Sequence, residues 1–165
     1  MTEWHPLALM QVLFIVAVAN GVPILAKKLF GDRLAHPLDF GVTLRDGCPL
    51  LGRSKTMRGL LLAVIFSALF GFLLGPDVGT GFLIGLAAMA GDLLSSFIKR
   101  RLGLAPSSMA PGLDQVPESL LPLLVVYDRV QLGPADVVIG VAAFWVGGLV
   151  ISRLLFAMRI RDRPY

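Results

Sequence analysis

Residues 78–101 read VGTGFLIGLAAMAGDLLSSFIKRR. The run is apolar and rich in small residues until it ends on three cations, Lys99, Arg100 and Arg101. A helix of this length, at ~1.5 Å per residue, crosses ~30 Å of hydrocarbon. A basic end beside an apolar span marks the cytosolic side. The pattern recurs in both directions along the chain. Fourteen of the fifteen basic residues fall into three clusters: Lys27, Lys28, Arg33, Arg45, Arg53, Lys55 and Arg58; Lys99, Arg100 and Arg101; and Arg153, Arg159, Arg161 and Arg163. Only Arg129 stands apart. If every cluster faces the cytosol, the runs between them cross the bilayer an even number of times.

The expected fold is therefore an all-α integral membrane protein with five transmembrane helices, N-terminus outside and C-terminus cytosolic. Spans are expected at residues 6–29, 58–75, 78–99, 117–132 and 136–158 of a single membrane domain covering 1–165. The fourth is short, and Asp128 and Arg129 intrude near its far end. Charge parity argues for it, because without it Arg159, Arg161 and Arg163 would lie outside. In the first span, Asn20, Gly21 and Pro23 interrupt the cytosolic third. Such an interruption produces either a simple kink or polar backbone lining a cavity. Gly81, Gly85 and Ala88 give the third span a small face that another helix can approach closely. Residues 30–57 and 100–116 form cytosolic loops too short to fold alone, so any site is built where loops rest on helix ends.

Composition agrees. The chain is 56% hydrophobic and only 16% charged, with a mean hydropathy of +0.78, more apolar surface than so small a soluble domain could bury. The net charge of +4 sits at helix ends, which argues against nucleic acid and for phosphate. Cys48 is the sole cysteine, which excludes an internal disulfide or a multi-cysteine zinc site. No basic residue precedes the first apolar run, so Ala17-Val18-Ala19 reads as part of a retained helix rather than a cleavage site.

The strongest chemical signal is Gly91-Asp92 through Arg101. Asp92, Ser95, Ser96 and Lys99 stand at i, i+3, i+4 and i+7, on one helical face. A carboxylate inside an apolar span costs up to ~3 kcal/mol at mid-bilayer, so it faces a cavity, an ion or a partner. An Asp92–Lys99 tether is the structural alternative. Asp114 follows in the next loop, with Glu118 just beyond it. Two carboxylates, Asp92 and Asp114, beside a basic triplet suggest a Mg²⁺–polyphosphate site. Gly52-Arg53-Ser54-Lys55-Thr56-Met57-Arg58-Gly59 adds flexible backbone, two cations and a hydroxyl. It has neither the spacing nor the preceding strand of a P-loop, and a basic segment there can also be a topology or anionic-lipid determinant.

These motifs, in this order, resemble the CDP-archaeol synthases, CTP-dependent lipid cytidylyltransferases. The resemblance includes Ala19-Asn20-Gly21-Val22-Pro23, Pro37-Leu38-Asp39-Phe40-Gly41, Asp46-Gly47, the Leu51–Gly59 segment, Gly91-Asp92 through Gly103, and Leu113-Asp114-Gln115. It implies a five-span protein that couples CTP to a polar lipid phosphate and releases pyrophosphate. Two features depart from the family pattern. Pro117 stands where an acidic residue is expected, so either Glu118 replaces it or a ligand is missing. The loop at 105–112 is only loosely similar, which leaves the lipid open.

On this reading Asp92 and Asp114 bind one or two Mg²⁺, and Lys99, Arg100 and Arg101 hold the CTP phosphates. Lys55, Thr56 and Arg58 close over the nucleotide or grip the lipid phosphate, and Ser96 lies on the same face. Asn20 would line a cavity; Asp39 and Asp46 would serve either loop architecture or nucleotide contact. No general base is needed, because a phosphomonoester with a second pKa near ~6 is already largely dianionic at neutral pH. His5 is expected outside and His36 on the loop surface. The protein would work in the cytoplasmic membrane, its site on the cytosolic face, with CTP and a lipid phosphate as partners and no nucleic acid. The rival reading is a non-enzymatic small membrane carrier or an anionic-lipid-binding scaffold.

Overall fold

The computed structural model describes residues 5–105, 108 and 110–157. The basic residues beyond Arg153, the end of the fifth expected span and part of the second loop lie outside these. Five helices follow in order: α1 (Pro6–Phe30), α2 (Met57–Leu74), α3 (Val78–Arg101), α4 (Gln115–Val125) and α5 (Pro134–Ala157). Four of them, all but α4, are long and apolar enough to cross a membrane. Their outward faces carry exposed Leu7, Phe72, Val138 and Val146, as expected of surface that lipid covers.

Local chemistry sets the helix ends. Pro6 starts α1, where its missing N–H costs nothing, and Lys27 and Lys28 complement the dipole of its last turn. Contrary to the expected interruption, α1 runs unbroken through Asn20, Gly21 and Pro23. Pro23 instead packs beside Gly59, where a Cβ would lie 3.2 Å from the proline ring. Thr56 caps α2 by accepting from the Gly59 N–H at 3.2 Å. Gly75 ends α2 in the left-handed region at φ 111°. Asp77 then caps α3, accepting from the Thr80 N–H at 2.9 Å.

The α2–α3 hairpin uses the small residues anticipated from sequence. A Cβ on Gly71 would fall 2.6 Å from the Gly81 Cα, and one on Gly85 would fall 2.7 Å from the Ser67 Cβ. Ala88 continues the same buried face, so the two backbones pack directly on each other. The core is filled by Val12, Ile15 and Val16 of α1, Ile84 of α3 and Leu123 of α4.

The fourth helix differs from the expected span of 117–132. Its helix has only 11 residues, about 16 Å of rise, which is half of the ~30 Å needed. Turns follow Val125, and Val130 and Gln131 line a cavity with His5, Pro6 and Gln11 at the start of α1. At its other end α4 begins against Gly91, ten residues and therefore about 15 Å short of the basic end of α3. The polypeptide after α3 thus dips into the bundle before α4 starts. Non-helical backbone is tolerated at such depth because protein covers it. The loop 31–56 and the described residues between α3 and α4 gather at one end of the bundle, and the turns after α2 and α4 at the other.

Candidate active site

Three segments converge at the loop-bearing end: the residues just before α2, the inner third of α3, and the dipping loop with the start of α4. Lys55, beside the α2 cap, donates to both carboxylate oxygens of Asp92, at 2.5 and 2.6 Å. About two turns further along α3, Lys99 pairs with Asp114 at 2.6 Å and donates to the Ser108 carbonyl at 3.1 Å. Asp114 also accepts from the Ala110 N–H at 3.0 Å. The Ser95 hydroxyl lies 2.8 Å from the Leu113 carbonyl and 2.9 Å from that of Gly91, which pins the dipping loop to α3. The Gln115 side chain closes the turn by accepting from the Gly112 N–H at 2.9 Å.

Glu118 completes the cluster. Its carboxyl lies beside that of Asp92, within reach of the charges on Lys55 and Asp114. Two carboxyl groups set side by side repel unless a proton or a cation offsets their charge. From the sequence, Glu118 is a candidate replacement for the acidic residue absent at Pro117; in the fold it lies beside Asp92. The approach is made possible by Gly91, where any Cβ would run into the backbone of Pro117 and Glu118.

The basic triplet does not act as a unit. Consecutive helical residues point about 100° apart, so three in a row cannot share a face. Lys99 alone turns toward Asp114. Arg100, 4% exposed, donates to the Ala105 carbonyl at 2.9 Å. Arg101 stacks over Phe97 at 5.2 Å and reaches the first loop, pairing with Asp46 at 2.6 Å and the Pro49 carbonyl at 2.6 Å. Arg58 likewise leaves the acidic cluster: it bonds the carbonyls of Gly31 and Arg33 and lies over the Phe30 ring. Ser96 is buried on the Asp92 face of α3, and the Asn20 amide nitrogen is buried in α1 without a protein partner.

Asp39 and Asp46 build the first loop. Asp39 accepts from the backbone N–H groups of Leu51 and Gly52 at 2.9 Å and of Gly41 at 3.1 Å. Burial alone would raise its carboxyl; the backbone donors of Gly52, Leu51 and Gly41 outweigh it and hold the group below its ordinary 3.8. A depressed folded value means that the ionised form stabilises the loop above the ordinary pKa, and that this support is lost as pH falls through the folded value. Asp39→Asn is therefore expected to make residues 30–57 easier to proteolyse near neutral pH. It should also remove the steepening of wild-type cleavage below about pH 4, read with an acid-tolerant protease.

Among the described residues, no three His, Cys, Asp or Glu side chains gather tightly enough to hold a metal ion by themselves. The donor chemistry nonetheless fits a hard divalent cation. Asp92, Asp114 and Glu118 offer only oxygen, and two lysine ammoniums sit where added positive charge is needed.

The family model CarS-like, CDP-archaeol synthase, matches residues 74–165. The CDP-archaeol synthase of Thermofilum pendens is 34% identical over 154 residues, covering 90% of this chain and 76% of that protein. The chain belongs to the CDP-archaeol synthase family. The enzyme of Sulfurisphaera tokodaii is also 34% identical, over 90% of this chain and 89% of its own length. That of Methanopyrus kandleri is 46% identical over 98 residues, 56% of each protein. A solved structure of an intramembrane enzyme for archaeal membrane lipid biosynthesis superposes with a TM-score of 0.74 at 33% identity, covering 86% of this chain and 90% of that one. A multi-pass membrane enzyme is thus favoured over the carrier or scaffold.

Proposed function

We propose that this member of the CDP-archaeol synthase family transfers the cytidylyl group of CTP to a polar lipid phosphate and releases pyrophosphate. The observation that carries the reading is the meeting of Lys55–Asp92–Glu118 with Lys99–Asp114 at the half-buried start of α4. A phosphate oxygen of the lipid attacks the α-phosphorus of CTP; the new P–O bond forms as the bond to the β-phosphate oxygen breaks, and pyrophosphate leaves with that electron pair. The nucleophile is already largely dianionic, so these residues need only position the reactants and neutralise charge. Lys55 and Lys99 hold carboxylates here, and phosphate oxygens are their natural alternative acceptors. Asp92, Asp114 and Glu118 are the residues that would hold one or two Mg²⁺. A bound divalent ion would neutralise the polyphosphate oxygens. Arg100 and Arg101 tie both loops to α3 and keep the site walls in place.

The orientation follows from charge. The loop-bearing end carries Lys27, Lys28, Arg33, Arg45, Arg53, Lys55, Arg58 and Lys99 to Arg101, whereas Asp77, Asp128, Arg129 and Asp136 mark the other end. The positive-inside trend puts the site on the cytosolic face of the cell membrane and the N-terminus outside.

The test uses purified full-length protein in detergent or vesicles with CTP, Mg²⁺ and either an ether-linked isoprenoid glycerol phosphate or phosphatidic acid. Pyrophosphate release that requires one of these lipids is the expected result, and the ratio of rates names the preferred backbone. No release with either lipid phosphate, or release without any lipid, would overturn the reading.

A further inference from the structure

A groove of about 400 Å³ runs along the seam between α1 and α2, lined by Phe14, Ala17, Gly21 and Leu25 from α1 and by Phe66 and Phe70 from α2. Its floor is built from small side chains, and nothing lies within 4 Å of where a Gly21 Cβ would stand. The Phe14 and Phe70 rings, 5.6 Å apart, close the deep end. Leu25 and Phe14 are eleven residues apart, so the groove extends about 16 Å along the helix axis, roughly half the hydrocarbon thickness. Its Leu25 end points toward the loop-bearing end of the bundle, where Pro23 of the same stretch packs against Gly59 in the first turn of α2.

The mouth is basic. Phe14, Gly21, Leu25 and Lys28 fall within one narrow stripe of α1, so Lys28, exposed, crowns the groove. Arg58 crosses the seam from the start of α2 to the carbonyls of Gly31 and Arg33 at the end of α1. An apolar slot of half-bilayer depth beneath two cations complements an amphiphile with an anionic head and a long hydrocarbon tail. A neutral lipid would leave the cations without a counter-charge. We infer that the α1–α2 groove holds a hydrocarbon chain of the lipid phosphate substrate while Lys28 and Arg58 attract its headgroup. The inference rests on the cytidylyltransferase reading for the identity of the lipid, and on the groove itself for its place.

Binding is tested apart from turnover. A lipid phosphate with a diazirine in its tail is photolysed with the full-length protein in vesicles, and the labelled peptides are identified. Labelling within residues 14–25 and 66–70, competed by unlabelled lipid phosphate but not by the matching neutral diether or diacylglycerol, is expected. Labelling elsewhere, or labelling that both lipids compete equally, would overturn the inference and leave the groove to ordinary bilayer lipid. Gly21→Phe fills the slot where space is open, and is expected to raise KM at least tenfold for long-tailed lipid phosphate while leaving KM for CTP and for a short-tailed analogue unchanged. Equal effects on both lipids, or on neither, count against the groove. If wild-type protein releases no pyrophosphate with any lipid phosphate yet shows the competed labelling, the enzymatic reading falls and the groove assignment stands.

Discussion

Asp92→Asn is expected to cut pyrophosphate release by at least about 10²–10³-fold, the scale seen when one preorganised electrostatic partner of a transition state is removed. The substitution keeps side-chain volume but removes the charge that both Lys55 and a divalent ion would use. Glu118, which also feels the Lys55 charge, remains beside the ammonium as its counter-ion, so folding should not suffer. Far-ultraviolet circular dichroism, the thermal midpoint in detergent and the elution volume should match wild type. A variant with undiminished turnover would show that Asp92 is a tether for Lys55 and that the catalytic charge lies elsewhere. The isosteric Glu118→Gln should lower turnover in the same direction and weaken Mn²⁺ binding measured by electron paramagnetic resonance. Unchanged Mn²⁺ binding would take Glu118 out of the metal's coordination.

Gly91→Val should damage stability and activity together, and in this it differs from Asp92→Asn. A Cβ at Gly91 would lie 2.5 Å from the Pro117 carbonyl carbon and 2.8 Å from the Glu118 Cα. Those are backbone atoms, and no rotamer change relieves the clash, so α4 must move away from α3. Overpacking of this kind costs about 1–3 kcal/mol, enough to lower the thermal midpoint by several degrees. The displaced segment carries Glu118 and abuts Asp114, so turnover should fall more than stability alone explains. Gly147→Ala is the control: nothing lies within 4 Å of its Cβ position, and both midpoint and rate should be unaffected. A Gly91→Val protein with wild-type midpoint and rate would mean that α3 and α4 are not in close contact.

The membrane class and the four long apolar helices were legible because each depends on side-chain transfer energies that act locally and add along the chain. Apolar runs between basic clusters state them directly, and the Gly81–Gly85 face announced a close helix pair. The i, i+3, i+4 and i+7 spacing put Asp92 and Lys99 on one face for the same reason, since helical geometry is fixed by the backbone alone. The motifs from Asn20 to Gln115, in their order, carried the family.

Other features depended on contacts between segments distant in sequence. Asp92 is held by Lys55, thirty-seven residues away, rather than by Lys99 seven residues along its own helix. Arg100 and Arg101 read as phosphate ligands by composition, yet their directions around α3 send them to the turn at Ala105 and the loop at Asp46. The 117–132 run looked like a short span; only the packing of Pro117 on Gly91 shows that the polypeptide enters the bundle before a half-length helix begins. The sequence by itself determined that this is an all-helical, multi-pass membrane protein with acids and bases beside its apolar runs, because hydropathy and helical periodicity are properties of single segments. The tertiary structure decided which acid meets which base, because at that buried depth a charge is stabilised only by the partner that packing brings within reach, and sequence separation does not encode that distance.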